Sequence, residues 1–353
     1  MAHWIGAHSR AGRPRLEPLG GIPRRLRARA TTVDRPRRAG PEPVGAHVLR
    51  RAVEATRRIG QVLAELDAHG VVLKGMALAL REAEVSPSRL PRATGDVDVY
   101  VEPRIASRLR DRLIETGFTG EPGAPAQAPH HLAGVEYRGV LVEIHTRLVP
   151  PFWGLPERDM LARTLPLAGS PRLVTLSAEG LVLHAAVHTA QDSFSHGLKT
   201  AWDGLAALRV SSELDWDVLA RWIAATRAPR GIWAVLGVLV RELEIGVPAR
   251  ILAQAPRDER QRRLETIARR RLFRVAESPD ALDPLSRQAI RFLMHDSWIA
   301  FGGYLASQVA VRRGRTVAWR GTVGRATRVS LVRSALIHWR QYRRAIRERA
   351  RRA

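Results

Sequence analysis

Residues 95–101 alternate between polar and apolar side chains, and this segment constrains the fold more than any other part of the chain. Successive side chains of a β-strand point to opposite faces, so Asp96 and Asp98 share one face and three valines occupy the other. The valine face must be buried in a core. The two carboxylates repel each other unless a cation lies between them, and a hard divalent ion is the natural partner. Loss of one carboxylate is therefore expected to leave a metal-free fold no less stable.

A second strand-like run, residues 140–147, also carries an acidic residue. Glu143 and His145 lie on one face of this run, and Val142 and Ile144 lie on the other. If the two strands are neighbours, Glu143 adds a third carboxylate to the cluster. Three carboxylates can hold two Mg²⁺ ions around a reacting phosphate.

A strand–glycine–helix junction precedes both acidic strands. The apolar run 71–74 ends in Lys74 and Gly75, and helical spacing follows, so a helix N-terminus can face a phosphate at this point. Lys74 and Lys199 are the two lysines among 58 basic residues. Lys74 can reach a phosphate, pair with a carboxylate or cap the strand at the surface, whereas Lys199 can also pair with Asp203 one helical turn later.

The first half of the chain mixes helical and strand patterns. Residues 46–69 and 104–116 have helical spacing, and residues 131–137 read as a strand joined to the Glu143 strand by a hairpin turn at Arg138 and Gly139. Beyond the hairpin no further strand is predicted.

From about Ser177 onward the spacing is helical, beginning with residues 178–191 and ending with one helix over residues 283–310. The fold class is therefore α+β, a small mixed-sheet domain followed by an all-helical domain, with basic tails. The predicted division is a disordered basic arm (1–43), a sheet core (44–165), a helical domain (166–311) and a basic amphipathic tail (312–353).

The net charge of +24 is concentrated at the two ends of the chain. Residues 1–50 hold eleven arginines and three acidic residues, and residues 312–353 hold fourteen arginines and one acidic residue. Arginine clusters bind phosphates through counterion release, so the tails predict non-specific contact with nucleic acid or another polyanion.

The absence of cysteine excludes a disulfide scaffold, a thiolate zinc site and a cysteine nucleophile. No window reaches the roughly 18 apolar residues of a membrane span, and the N-terminus lacks the apolar segment of an export signal. We therefore expect a cytoplasmic protein.

Two pairs of histidines are weaker candidates for a site. His184 and His188 share a helix face, but the apolar residues around them favour a polar seam against the sheet over a zinc site. His130 and His131 are adjacent, and adjacent strand residues face opposite ways, so no joint site is expected there.

The Leu73-Lys74-Gly75 turn, the segment 92–101 and the strand 142–145 together resemble the bacterial uncharacterised nucleotidyltransferases of the DNA polymerase β superfamily. The resemblance covers roughly residues 46–255. It departs at Met76, where that superfamily has glycine or serine.

The resemblance implies that Asp96, Asp98 and Glu143 bind divalent metal, two Mg²⁺ ions in the usual arrangement, and act in catalysis. It implies that Gly75 lies close to the phosphates of a nucleoside triphosphate (NTP), ATP among them, and that an NMP group passes to an acceptor hydroxyl of a small molecule, peptide, protein or RNA. The further nucleotide-binding candidates are Lys74, Arg92, Thr94 and Lys199.

Two alternatives stay open. The same spacing of Leu-Lys-Gly and Arg-x-Thr-x-Asp-x-Asp also resembles abortive-infection toxins, which suggests a toxin-like nucleotidyltransferase that modifies tRNA or protein. The basic tails also suit a nucleic-acid-binding protein whose sheet domain is catalytically inactive. A complete set of three carboxylates argues against an inactive domain.

Overall fold

The computed structural model describes residues 44–85, 94–121, 130–195, 203, 206–208, 214–273 and 284–312. The predicted arm 1–43 and all of the predicted tail after residue 312 lie outside these residues. Arg92 and Lys199 also lie outside them.

Six strands in the described part of the chain form one mixed sheet. They are β1 (Gly70–Leu73), β2 (Asp96–Tyr100), β3 (Val135–Tyr137), β4 (Val140–His145), β5 (Thr164–Leu167) and β6 (Ser170–Leu176). Their order across the sheet is β3-β4-β2-β1-β6-β5. The pairs β2/β4 and β1/β6 are parallel, and the other three pairs are antiparallel. A mixed α/β fold is therefore confirmed.

Helices cover the sheet and make up every regular element described after β6. They are α1 (Val44–Glu65), α2 (Lys74–Val85), α3 (Pro103–Glu115), α4 (Glu157–Leu161), α5 (Ala178–Gln191), α6 (Trp216–Ala225), α7 (Pro229–Leu243), α8 (Ala249–Leu252), α9 (Glu259–Leu272), α10 (Pro284–Met294) and α11 (Trp298–Arg312). Within the described ranges, none of these helices has the length and apolar character needed to cross a membrane.

The hairpin between β3 and β4 has the predicted turn. Arg138 and Gly139 adopt φ angles of +52° and +82°, the left-handed conformations that a two-residue hairpin turn requires. The helix predicted over residues 178–191 is confirmed at both ends, and its start is capped by the Ser177 hydroxyl, which accepts from the backbone N–H of Gly180.

The prediction of a single helix over residues 283–310 is wrong, because the helix is interrupted between α10 and α11. The buried ring of His295 hydrogen-bonds through Nδ1 to the Arg227 carbonyl oxygen at 3.1 Å. The Arg260 guanidinium donates to the carbonyl oxygens of Phe292, Leu293 and His295, so these helix-end acceptors are satisfied without another helical turn.

The strands β5 and β6 follow the hairpin, where the sequence pattern predicts no further strand. Pro166 and Pro171 interrupt these strands, and proline removes a backbone donor that a central strand needs. Pro166 is tolerated because β5 is at the edge of the sheet, and Pro171 precedes the residues of β6 that pair with β1. The sheet therefore continues to Leu176, past the predicted boundary between residues 165 and 166.

Buried side chains form one continuous cluster, from Ala52 on α1 to Tyr304 on α11. The strand valines Val97 and Val99 are both fully buried in this cluster. The predicted apolar face of β2 is thus confirmed, and its other face is left to carry the carboxylates.

Candidate functional site

Parallel pairing of β2 and β4 brings two carboxylates to adjacent positions. Asp98 is paired in register with Glu143, and Asp96 with Leu141. The prediction that the two acidic strands are neighbours is therefore confirmed. Asp98 is buried, whereas the Glu143 side chain keeps 23% of its surface exposed.

Lys74 supplies a cation between these carboxylates. Its Nζ lies 2.5 Å from Asp98 Oδ1 and 3.5 Å from Glu143 Oε2. The backbone at Lys74 has a φ of +49°, a left-handed conformation that costs a residue other than glycine about 1 kcal/mol. This turn between β1 and α2 directs the lysine side chain at the acidic strands, so local strain at this position coincides with the site.

The charges in the site hold one another in their ionised forms. Burial lowers the pKa of the Lys74 ammonium, but Asp98, Glu143 and Asp96 outweigh burial and raise it. Burial likewise disfavours the Asp98 carboxylate, yet the Lys74 charge and the hydrogen bond from His145 hold its pKa well below the usual range. The pair is therefore a charged one.

His145 completes the cluster. Its Nε2 lies 2.8 Å from Asp98 Oδ1 and 3.7 Å from Glu143 Oε2, so the face predicted for His145 is confirmed. Burial lowers the pKa of this imidazole, but the hydrogen bonds with Asp98 and Glu143 raise it overall. Nε2 therefore acts as the hydrogen-bond donor to Asp98.

Asp98, Glu143 and His145 each offer one ligand atom within 4.8 Å of the other two, which is close enough to bind a single metal ion. Carboxylate oxygens suit hard divalent ions, and imidazole nitrogen adds affinity for transition metals. The predicted ligand set was Asp96, Asp98 and Glu143. The structure brings two of these three together and adds His145.

Asp96 has a different environment. Its Oδ1 accepts a hydrogen bond from Thr94 Oγ1 at 2.9 Å, and the same hydroxyl lies 3.1 Å from the Asp96 carbonyl oxygen. Thr94 therefore orients the carboxylate of Asp96. A contact between Thr94 and a nucleotide stays a prediction.

The predicted phosphate-binding turn lies at the start of α2. Gly75 is the second residue of this helix and is partly buried. Met76, where the resemblance departs, is 1% exposed and belongs to the core. Its side chain is therefore directed away from any ligand at the helix start.

Two further histidines lie beside the cluster, contrary to the expectation that they do not share a site. The rings of His130 and His131 lie 5.4 and 5.3 Å from the His145 ring, centroid to centroid. Residues 130–132 are no regular strand. They fold back along the end of β4, where the Thr146 N–H donates to the His130 carbonyl oxygen at 2.8 Å.

His130 contributes a neutral ring to this cluster. Burial, together with His145 and His131, lowers the pKa of His130 to about 2. The Nδ1 atoms of His130 and His145 are buried and find no hydrogen-bond partner among the described residues. Sequence spacing carried no signal for this contact, because it depends on the fold-back of the loop.

The His184 seam is confirmed as a packing contact. The buried His184 ring hydrogen-bonds through Nε2 to the Leu148 carbonyl oxygen at 3.1 Å, whereas His188 lies 3.8 Å from Asp192. Burial and the neighbouring His188 lower the pKa of His184 to about 3.

The buried His184 imidazole is expected to make the fold less stable in acid. In the unfolded chain the pKa of His184 is about 6.5, so below that pH the unfolded chain binds a proton that the folded chain does not bind. The contribution of neutral His184 to the free energy of unfolding is therefore complete above that pH and is lost as the pH falls towards about 3. We expect the free energy of unfolding to depend less steeply on pH in His184→Gln than in wild type, by up to about 1.4 kcal/mol per pH unit. Urea unfolding between neutral and acid pH measures this, with His47→Gln at an exposed position as the control. Equal slopes for His184→Gln and wild type would contradict the prediction.

Comparison with known proteins gives one finding that bears on this site. A family model described as uncharacterised nucleotidyltransferase matches residues 48–243, which include β1, β2, β4 and the whole candidate cluster. No curated protein matches the chain. No solved structure matches it either.

Proposed function

The chain belongs to the uncharacterised nucleotidyltransferase family, and we propose that it transfers an NMP group from an NTP to an acceptor hydroxyl in a Mg²⁺-dependent reaction. The acceptor is a small molecule, a peptide, a protein or an RNA. The proposal includes a catalytic core of the polymerase β type, with the helices after β6 on the acceptor side.

The observation that carries this proposal is the in-register pairing of Asp98 with Glu143 around a cation. Nucleotidyl transfer needs charge neutralisation and alignment of the phosphate more than any covalent participation by the protein. Two adjacent carboxylates that hold a positive charge, at the start of a helix, provide the elements for both.

The residues present fit a divalent cation. The Lys74 Nζ lies 2.5 Å from Asp98 Oδ1 and 3.5 Å from Glu143 Oε2, so one oxygen of each carboxylate already faces a common cation. Asp98 and Glu143 would bind the metal, with Asp96 as the third carboxylate of the proposed set. When bound, two Mg²⁺ ions at such a site supply positive charge that stabilises the transferring phosphoryl group.

The chain's own residues divide the remaining tasks. Lys74 and the N-terminus of α2, at Gly75, bind the triphosphate, and Thr94 orients Asp96. Arg92 and Lys199 are further candidates for nucleotide binding. Glu143, more exposed than Asp98, accepts the proton of the acceptor hydroxyl while the acceptor oxygen bonds to the α-phosphorus and the bond from that phosphorus to the pyrophosphate leaving group breaks.

Pyrophosphate release tests the proposed function directly. The full chain is incubated with each of the four NTPs and with RNA, protein, peptides or a small-molecule extract as acceptor, with and without Mg²⁺, and the products are analysed by mass spectrometry. We expect metal-dependent pyrophosphate release and an NMP adduct. No pyrophosphate from any NTP, together with no stabilisation by metal and NTP, would contradict the proposal.

Lys74→Arg is expected to lower turnover about tenfold or more although it keeps the charge. The planar guanidinium is larger than the ammonium that contacts both carboxylates, and it cannot replace a compact point charge there. Steady-state kinetics with the most active NTP measure the effect. Turnover equal to that of wild type would show that Lys74 has only a structural role.

The alternative of an inactive nucleic-acid-binding protein rests on the basic ends of the chain. Deletion of residues 1–43 and 312–353 is expected to leave the fold and Mg²⁺ binding intact while affinity for RNA and its salt dependence fall. Circular dichroism and fluorescence anisotropy at several salt concentrations measure both. An insoluble truncated protein would show that the C-terminal segment belongs to the core.

A further inference from the structure

Lys74 contacts one oxygen of each of the two carboxylates that the proposed metal needs. Its Nζ contacts Asp98 Oδ1 at 2.5 Å and lies 3.5 Å from Glu143 Oε2. In the described part of the chain, Lys74 is the one lysine or arginine within ion-pair distance of either carboxylate. The Lys74 ammonium therefore already offsets one of the two negative charges.

An ammonium and a divalent cation compete for these two carboxylates. Like charges a few ångströms apart repel strongly where water is partly excluded, and Asp98 is almost completely buried. A metal that enters must displace the ammonium, which then has to find another anion. The Lys74 side chain is 20% exposed and borders a small cleft with Leu181 and His184, so its flexible end has room to leave the carboxylates.

A triphosphate supplies that other anion. The backbone of Lys74 is fixed at the start of α2, where phosphate groups bind favourably. With a triphosphate there, the ammonium exchanges one anionic partner for another. Without it, the displaced ammonium keeps only the protein's own groups, with Asp203 as the other carboxylate that borders the cleft.

We propose that Lys74 makes metal binding at Asp98 and Glu143 conditional on the triphosphate, so that the metal binds tightly only together with the nucleotide. This inference rests on the proposed function and adds a positioning role for Lys74. Coupling of this kind is reciprocal, so the metal must raise the affinity for the triphosphate by the same factor.

Calorimetric titration with Mn²⁺ alone tests the central claim, because it needs neither nucleotide nor turnover. We expect Lys74→Gln to bind Mn²⁺ at least about tenfold more tightly than wild type, since the competing charge is gone. Arg147→Gln is the matched control, because it removes one positive charge two residues from His145 from a side chain that lies 3.7 Å from Glu157. Equal or weaker Mn²⁺ binding by Lys74→Gln, or the same gain in Arg147→Gln, would overturn the inference.

The coupling itself is measured with α,β-methylene analogues of the four NTPs, titrated with and without saturating Mn²⁺. In wild type, Mn²⁺ is expected to raise the affinity for the best analogue at least about tenfold, and this factor should be smaller in Lys74→Gln, where only direct contact between metal and phosphate remains. A factor that is the same in both proteins contradicts the proposal.

A measurement on the wild-type chain covers the case in which Lys74→Gln does not fold. The sequence has two lysines, so lysine labelled with ¹³C at Cε gives two side-chain signals, and Lys199→Arg identifies the one from Lys74. We expect Mg²⁺ alone to leave the Lys74 signal in place and Mg²⁺ with the analogue to move it. Movement by Mg²⁺ alone at the same concentration overturns the inference.

Failure of the proposed function is a separate result. Absence of pyrophosphate release from wild type would refute the transferase activity, whereas the Mn²⁺ titrations report only on competition at the carboxylates. Transfer by wild type without tighter Mn²⁺ binding by Lys74→Gln would refute the coupling alone.

Discussion

Asp98→Asn is expected to abolish transfer and to destabilise the protein in the same step. The Asp98 carboxylate accepts from Lys74 at 2.5 Å and from His145 at 2.8 Å, and it is 1% exposed. Its loss leaves the Lys74 ammonium without its close anion and the buried His145 ring without its hydrogen-bond acceptor, and removal of one partner of a buried ion pair costs about 3 kcal/mol. It also removes a proposed metal ligand, so transfer should fall by on the order of a thousandfold or more.

Two measurements separate these effects. Urea unfolding without metal gives the change in stability, and pyrophosphate release below the melting temperature gives the change in transfer. Asp111→Asn, at an exposed position on α3, is the control for loss of one negative charge. Full transfer by Asp98→Asn would end the transferase interpretation of this site, and unchanged stability would show that the ion pair with Lys74 contributes nothing to the fold.

The sequence alone predicts the opposite sign for the stability of this variant. From the strand pattern, Asp98 is one of several carboxylates that repel each other, so its neutralisation is expected to relieve strain. The structure reverses that expectation because Lys74, 24 residues earlier, already pairs with Asp98. A sequence pattern shows which side chains share a strand face, but not which distant side chain reaches that face.

The parts that could be predicted depend on local periodicity. Alternation places Asp98 and Glu143 on polar strand faces, and the turn at Arg138 and Gly139 is readable because two left-handed residues have a strong local signature. The proximity of His130 to His145 could not be read in this way. It depends on a loop that folds back along β4 without the regular pattern of a strand.

The two strands that contain proline, β5 and β6, are also not predicted by local periodicity. Pro166 argues against a central strand, and the structure agrees, since β5 is at the edge of the sheet. The strand β6 also contains a proline, Pro171, but it pairs with β1 through the later residues Leu173, Val174 and Thr175. The strand β1 positions Lys74, so the missed strand belongs to the framework of the site.

Glu143→Gln is expected to separate chemistry from binding. The Glu143 side chain is 23% exposed, and its Oε2 lies 3.5 Å from Lys74 Nζ and 3.7 Å from His145 Nε2. These longer contacts contribute about 1 kcal/mol or less to stability, so the fold should tolerate the change. The amide cannot accept the acceptor's proton, and kcat should fall about a hundredfold or more.

Stabilisation by Mg²⁺ and NTP tests the other half of this prediction, because it reports on binding without turnover. Asp98 keeps its position in Glu143→Gln, since its short contacts with Lys74 and His145 do not involve Glu143. The rise in melting temperature on addition of metal and NTP should therefore be largely retained. Loss of that rise with an unchanged kcat would reverse the assignment: Glu143 would then serve binding alone, and another group would have to accept the proton.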